Sequence, residues 1–233
     1  MAKLSGIILH RLKYSETSLI VKILTREHGI ISGMARGVRK SKKGGFLFQP
    51  GNIVDVECTK KATNDLYSIK ECVIKHPYQN ILDDISKNMV IVFLSEFLLR
   101  AIEEEHQDLE LYDFILEQFL LLDIEKNQKV IKEFHLHFLI ELTKYLGFYP
   151  ENNYQKGMSF NLLTGRFSKE AVHYDLESSS WFAQLLSANI NDIVLDTKIQ
   201  RKEVLSLLVK YYKTHLQGLG EVKSLKVLEA LAD

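Results

Sequence analysis

The strongest constraint on this 233-residue chain is a single change of hydrophobic period, which falls at Pro77. Before Pro77 the apolar residues alternate with polar ones, the period of a strand with one buried face. Gly6–Leu12, Ser18–Thr25, Gly29–Ala35, Asn52–Cys58 and Leu66–Lys75 are rich in Ile, Val, Leu and Thr. In the fourth run Val54, Val56 and Cys58 share one face while Asp55 and Glu57 share the other. Polar or glycine-containing links, Lys13–Thr17, Arg26–His28, Gly37–Gly51 and Thr59–Asp65, separate the runs. Five short strands in so little chain need closure to remove their edges, and a five-stranded barrel of the oligonucleotide-binding (OB) type provides it.

After Pro77 the period is 3.6. Val130, Phe134, Phe138, Leu142 and Leu146 recur every fourth residue, with Ile131, Leu139 and Tyr145 beside them, and form one apolar stripe. Asp108–Asp123 and Gln200–Leu216 repeat the pattern, and Met89–Ile102 is apolar nearly all round, which places it centrally. Asp83-Asp84 caps the helix that follows. Residues 150–175 hold Gly157, Gly165 and several Asn, and read as a loop or small hairpin inserted between helices. The fold class is therefore α+β: an N-terminal five-stranded OB-type β-barrel over residues 1–78, then an all-helical domain over 79–233 with the insert near 150–175.

Charge is as unevenly divided as period. The whole chain has net charge zero, yet residues 1–80 hold 14 Lys and Arg against 6 Asp and Glu, so the remainder is acidic by as much as the front is basic. That asymmetry points to a polyanion at the barrel. Two cysteines, Cys58 and Cys72, cannot build a structural zinc site or a secreted disulfide scaffold; they read as small buried hydrophobes facing each other across two strands. The N-terminus lacks a signal-peptide pattern, and the longest apolar run, Met89–Leu94, is far short of the ~20 residues of a membrane span. A cytoplasmic protein without membrane partners is expected. No phosphate-loop, dinucleotide, zincin or nucleophile-elbow motif is present, so no enzyme is expected. His135 and His137 are expected at the surface or a helix end, and Glu103-Glu104-Glu105-His106 as the solvated end of a helix.

The positive signal is Arg36-Gly-Val-Arg39-Lys40-Ser-Lys42-Lys43-Gly-Gly, with five cations in eight residues, no acid, and Phe46 and Phe48 following. Lys13, Tyr14, Arg26, Lys60, Lys61 and Tyr67 fall in neighbouring strands or links. Cations neutralise phosphates and planar rings stack on bases, so this mixture on a barrel suits a single strand. The candidate nucleic-acid residues are Lys13, Tyr14, Arg26, Arg36, Arg39, Lys40, Lys42, Lys43, Phe46, Phe48, Lys60 and Lys61. An RNA-binding barrel of translation or RNA turnover, and a nuclease with convergent carboxylates, are the competing classes.

Two stretches resemble a known family. Gly6-Ile-Ile-Leu, Tyr14-Ser-Glu16 and Leu24-Thr25-Arg26-Glu27-His28-Gly29, continuing to Ala35-Arg36-Gly37-Val-Arg39, are similar to the start of bacterial RecO, a DNA repair family. Tyr211-Tyr212-x-x-His215-Leu-x-Gly-Leu-Gly and Lys223-Ser-Leu-Lys226-Val-Leu are similar to that family's C-terminal helix and turn. The resemblance spans the full length. It implies a recombination mediator of the nucleoid that binds single- and double-stranded DNA and anneals complementary strands. It further implies that, with RecR, such a protein helps to load RecA onto strands coated by single-stranded DNA-binding protein (SSB). For the acidic, apolar-ended SSB tail, Tyr211, Lys213, Lys223 and Lys226 are the candidates. Many members carry a four-cysteine zinc insert; residues 150–175 contain no cysteine, so no zinc is expected and a hairpin packed by Phe160, Leu162 and Phe167 takes its place.

Overall fold

The computed structural model describes residues 1–38, 42–60, 66–104, 106–170, 174–189 and 192–231, and of residues 42–43, 227 and 229–231 the backbone alone. The chain divides into two compact units, Met1–Ile124 and Glu125–Asp233.

In the first unit β1 (Ala2–Lys13), β2 (Leu19–Thr25), β3 (Gly29–Ala35), β4 (Ile53–Thr59) and β5 (Tyr67–His76) close into a barrel in the order β1-β2-β3-β5-β4. All ladders are antiparallel except β3–β5, where Gly33–Ala35 run parallel to Tyr67–Ile69. β1 makes the closure possible: Ala2–Ile7 pair with β4, Gly6–Lys13 pair with β2, and the register shifts between Ile8 and His10 where the strand bends. The interior holds Leu4, Ile8, Leu19, Val21, Ile23, Ile31, Ala35, Val54, Val56, Cys58 and Ile69. Val54, Val56 and Cys58 point inward and Asp55 and Glu57 are only half-buried, as their alternation predicts. Cys58 pairs with Ile69 and Cys72 with Val56, so the two thiols are not cross-strand partners, contrary to expectation.

The link between β3 and β4 contains a one-turn helix, α1 (Lys42–Leu47), that the sequence does not announce, because its Gly44-Gly45 are poor helix formers. Gly44 is required by space: a Cβ there would meet the carbonyl of Val38. Just after α1, Phe48 is buried to 1% and belongs to the barrel interior.

Helices α2 (Ile85–Ala101) and α3 (Leu109–Ile124) complete the first unit. Asp84 caps α2, accepting from the Lys87 backbone at 3.1 Å. α2 packs on β1, which explains why Ile7 and Leu9, on the outer face of β1, are buried as deeply as Ile8. Gly51, at φ +89°, sits so close beneath α2 that a Cβ would strike Ile91. At the end of α3 the buried Asp123 carboxylate accepts the backbone N–H groups of Gln79, Asn80 and Ile81 at 2.8, 2.9 and 2.9 Å, while its carbonyl accepts the Lys87 ammonium at 2.7 Å. This residue fixes the chain where strand gives way to helix.

The second unit contains α4 (Gln128–Tyr145), a hairpin of β6 (Ser159–Asn161) and β7 (Arg166–Ser168), α5 (Leu176–Ser187), α6 (Lys198–His215) and α7 (Ser224–Leu231). α4 is buried well beyond one stripe, from Val130 to Thr143, so it is the central helix of its unit. His135 and His137 are accordingly buried, not at the surface as expected. Beside them the buried Glu133 carboxylate accepts from Val194 and Leu195 at 3.2 and 2.9 Å, and lies 4.0 Å from the His137 Nε2. The hairpin is held by rings. Phe160 meets Phe182, Phe167 and Tyr211 at centroid distances of 4.8, 5.1 and 5.2 Å. The Asn153 amide accepts from the N–H and donates to the carbonyl of Phe167, at 2.8 and 3.0 Å, standing in for a third strand. Among the described residues no helix is long and apolar enough to cross a membrane.

Candidate nucleic-acid interface

Register decides what the barrel shows to the outside. Lys13, Leu19, Ala35, Ile69 and Cys58 are successive cross-strand partners, and the last four lie in the core. The neighbouring row must then face outward. That row is Leu12, Ile20, Met34 and Ser68, each paired with the next. One step further along the strands, Tyr14 donates its N–H to the Ser18 carbonyl at 3.1 Å, so the ladder and its alternation continue past β1. Tyr14 therefore follows Leu12 on the outer face, and Arg36 follows Met34. Tyr14 is 61% exposed, Leu12 58%, and Arg36 is exposed.

The β1–β2 and β4–β5 links lie at opposite ends of the barrel: Tyr14 follows the end of β1, whereas Lys60 follows Thr59 beyond the Cys58–Ala2 pair at the start of β1. Lys60 lies over the Tyr67 ring, 5.3 Å from its centroid. Lys13 is exposed at the barrel rim. Phe46, 39% exposed, is carried by α1, which is tied to β1 by the Arg11 guanidinium donating to the Gly45 carbonyl. The face so formed joins Tyr14 and Arg36, with Lys13 at its rim and Glu16 as an exposed acid in the β1–β2 link.

Other expected members fall elsewhere. Arg26 sits at the opposite end of β2, where it makes a bidentate pair with Asp113 of α3 at 3.0 and 2.9 Å; the two groups hold each other charged, the guanidinium pKa raised and the carboxylate pKa lowered by their hydrogen bonds. Phe48 offers no ring to a ligand, since it fills the interior. Arg39, Lys40 and Lys61 lie outside the described residues, and Lys42 and Lys43 are placed by backbone only. The lower part of the outer face is closed by the chain after α2: Glu104 bridges to Ile30 and ion-pairs with Lys22, so this acidic run is more than a solvated helix end.

Sequence reading missed Leu12, Ile20 and Met34. Their signal was present in the alternation of 10, 12, 14 and of 18, 20, 22, but only pairing shows that they form a row.

In the second unit Tyr211 is buried to 1% and donates to the Phe148 carbonyl at 2.6 Å, so it belongs to the core and not to a groove. Lys213, Lys223 and Lys226 are exposed and all act on Glu221, whose pKa they lower, with Lys226 at 2.9 Å foremost. Cys58 is buried and Cys72 half-buried, and both thiols are held protonated: burial, then Asp55, pushes Cys72 up to about 12, and burial raises Cys58.

Comparison with known proteins agrees with this architecture. Residues 1–78 match the family described as recombination protein O N terminal, and residues 82–226 match recombination protein O C terminal. The chain is 33% identical to the DNA repair protein RecO of Azobacteroides pseudotrichonymphae, over 99% of both chains. It is 33% identical to the DNA repair protein RecO of Flavobacterium psychrophilum, over 97% of both, and 32% identical to that of Bacteroides fragilis, over the whole of both. An OB-type barrel with a basic, aromatic outer face, a helical second part and matches from end to end lead to one conclusion: the chain belongs to the RecO family of DNA repair and recombination proteins.

Proposed function

We propose that this protein is a recombination mediator that binds single- and double-stranded DNA on its barrel, anneals complementary strands and, with RecR, helps to load RecA onto SSB-coated DNA. The observation that carries the reading is the outward ladder that sets Tyr14 and Arg36 on one face, with Lys13 at its rim. Such a face needs no base-specific hydrogen bonds: cations hold the phosphates, and a ring stacks on whichever base is present. The basic run begins with Arg36, which leaves β3 at the same end, and its cations are proposed to add to the phosphate contacts. No covalent step is required, and the protein acts as a binder, not an enzyme. The lysines around Glu221 offer cations to the acidic SSB tail.

The fold is proposed to need no zinc. The inserted hairpin is packed by Phe160, Phe167 and Phe182, rings with no lone pair for a metal, and their mutual contacts hold it in place.

The test is annealing of two labelled complementary oligonucleotides, bare and coated with cognate SSB, at two salt concentrations. It is run on the wild type and on a variant with Arg39, Lys40, Lys42 and Lys43 all changed to Ala. Single-strand affinity falls with salt at about 0.7 log units per phosphate contact, so losing four contacts flattens the slope by nearly three. Unchanged binding in the variant removes the basic run from the site. A wild type that neither binds nor anneals DNA defeats the reading.

A further inference from the structure

The first unit has a second face whose character is the reverse of the barrel's. Residues 81–124, which form α2, α3 and their flanks, hold eleven Asp and Glu against two Lys and Arg. Both cations are already engaged: the Lys87 ammonium is buried on the Asp123 carbonyl, and Arg100 pairs with Glu96 at 3.2 Å. Residues three, four and seven apart share one side of a helix, so Glu110, Glu117, Leu121 and Ile124 form a single stripe on α3, and all four are exposed. On α2, Ile85 and Val92 share a stripe and are 72% and 38% exposed. Asp123 ties the start of α2 to the end of α3, which brings Leu82 and Ile85 to the same end of the helix pair as Leu121 and Ile124. Four large aliphatic side chains, the least exposed of them at 45%, therefore lie at one end with Asp83 and Glu117 beside them. Such a patch marks a contact surface, and its acids repel phosphate, so nucleic acid is not its occupant.

We propose that the occupant is the barrel face of a second copy of this chain, and that DNA displaces it. The barrel face offers the complementary mixture: Leu12, Tyr14 and Phe46 are exposed, with Lys13 and Arg36 at their side. When the two faces meet, apolar covers apolar and cation meets acid. Both faces belong to the compact unit Met1–Ile124, so within one chain they cannot cover each other, whereas a second copy can. The net charge of zero lets copies approach without the repulsion that keeps strongly charged proteins apart. The contact joins unlike patches and is heterologous: a chain that uses its barrel face still presents its helix face to the next. A DNA strand needs the cations of the barrel face and competes with the second copy for them. That competition rests on the DNA-binding reading above; the contact between copies does not.

The experiment is sedimentation velocity of the full chain at two salt concentrations, with and without a short single-stranded oligonucleotide. The wild type is expected to associate at low salt, and about tenfold more weakly at ~0.5 M salt, where surface charges are screened. Saturating oligonucleotide is expected to return it to monomers. Two variants each remove one face: Leu12→Ser/Arg36→Glu on the barrel and Glu117→Lys/Leu121→Ser on α3, with circular dichroism to show that both are folded. Each alone is expected to be monomeric. An equimolar mixture of the two is expected to associate again, because one keeps the helix face and the other the barrel face. The α3 variant is expected to keep wild-type affinity for the oligonucleotide. A wild type that stays monomeric at about 100 μM in low salt overturns the inference. So does association that survives in either variant, or a mixture of folded variants that stays monomeric. Oligonucleotide that binds and leaves association intact overturns the competition. Oligonucleotide that fails to bind removes the DNA-binding reading and leaves the contact between copies standing on the variants.

Discussion

Single residues divide here into those whose charge is free for a ligand and those whose charge is already used. Arg26 belongs to the second kind: Asp113 occupies both arms of its guanidinium. Arg26→Ala is therefore expected to leave DNA affinity almost unchanged, whereas Arg36→Ala lowers it and reduces the salt slope by about 0.7; fluorescence anisotropy across a salt series separates the two. Asp123 is the contrasting case, a buried carboxylate with no solvent to replace its partners. Asp123→Ala strands the backbone N–H groups of Gln79, Asn80 and Ile81 and is expected to destabilise by roughly 3 kcal/mol or more, measured by urea unfolding. A loss below about 1 kcal/mol would show that water enters and takes over these bonds. Cys72, with its thiol raised to about 12, is expected to resist alkylation at neutral pH until the barrel unfolds.

Among the elements, the β6–β7 hairpin has three-residue strands too short to stand alone. Its stability comes from the rings beneath it and from bonds at its flanks: Phe160 N–H donates to Ser179 Oγ at 2.9 Å and Glu151 N–H to the Gly165 carbonyl at 2.8 Å. Gly165, at φ +66°, lies against the Tyr211 hydroxyl, where any side chain would collide. Phe160→Ala is expected to cost about 3–5 kcal/mol through the cavity it leaves. Chelator is expected to leave the melting temperature of the wild type unchanged; a fall on adding EDTA would show that the hairpin depends on a metal after all.

The molecule as a whole has a basic front, residues 1–80, balanced by an acidic stretch over residues 81–124, and it buries two of its histidines, His135 and His137, on α4. Burial lowers His135 from 6.5 to about 3, with Arg201 and His137 adding to the effect, and burial also lowers His137. Unfolded chain takes up these protons between pH 6.5 and the depressed native values while native chain does not. Stability is therefore fully present above pH 6.5 and is lost as pH falls through that window. Glu133 works the other way: burial raises its pKa, so the native state holds its proton more readily and recovers some stability at the acid end. For His135 alone the loss is about 1.4 kcal/mol on going down to pH 5.5. Denaturant midpoints measured from pH 7.5 to 5 are expected to fall for the wild type and to fall less for His135→Leu; equal slopes would show that His135 titrates normally.

Period, charge and motif in the sequence determined the strand and helix register, the break near Pro77, the barrel class and the family. They did so because alternation and 3.6-residue repeats are local consequences of which faces must leave water. Tyr14 and Arg36 were legible for the same reason, since each lies one step beyond a strand whose alternation is plain. What the sequence could not determine depends on which strands meet. Pairing of the first half of β1 with β4 began that strand at Ala2, four residues before its pattern starts at Gly6. Closure placed Phe48 inside, so one of two nearby phenylalanines left the site while Phe46 stayed exposed. Packing on every side of α4 buried two histidines that a helical stripe had placed outside. Arg26 found Asp113, eighty-seven residues away, and ceased to be a free cation. The row Leu12–Ile20–Met34 exists only because two ladders bring those side chains into line; each apolar residue taken alone is an unremarked member of its strand.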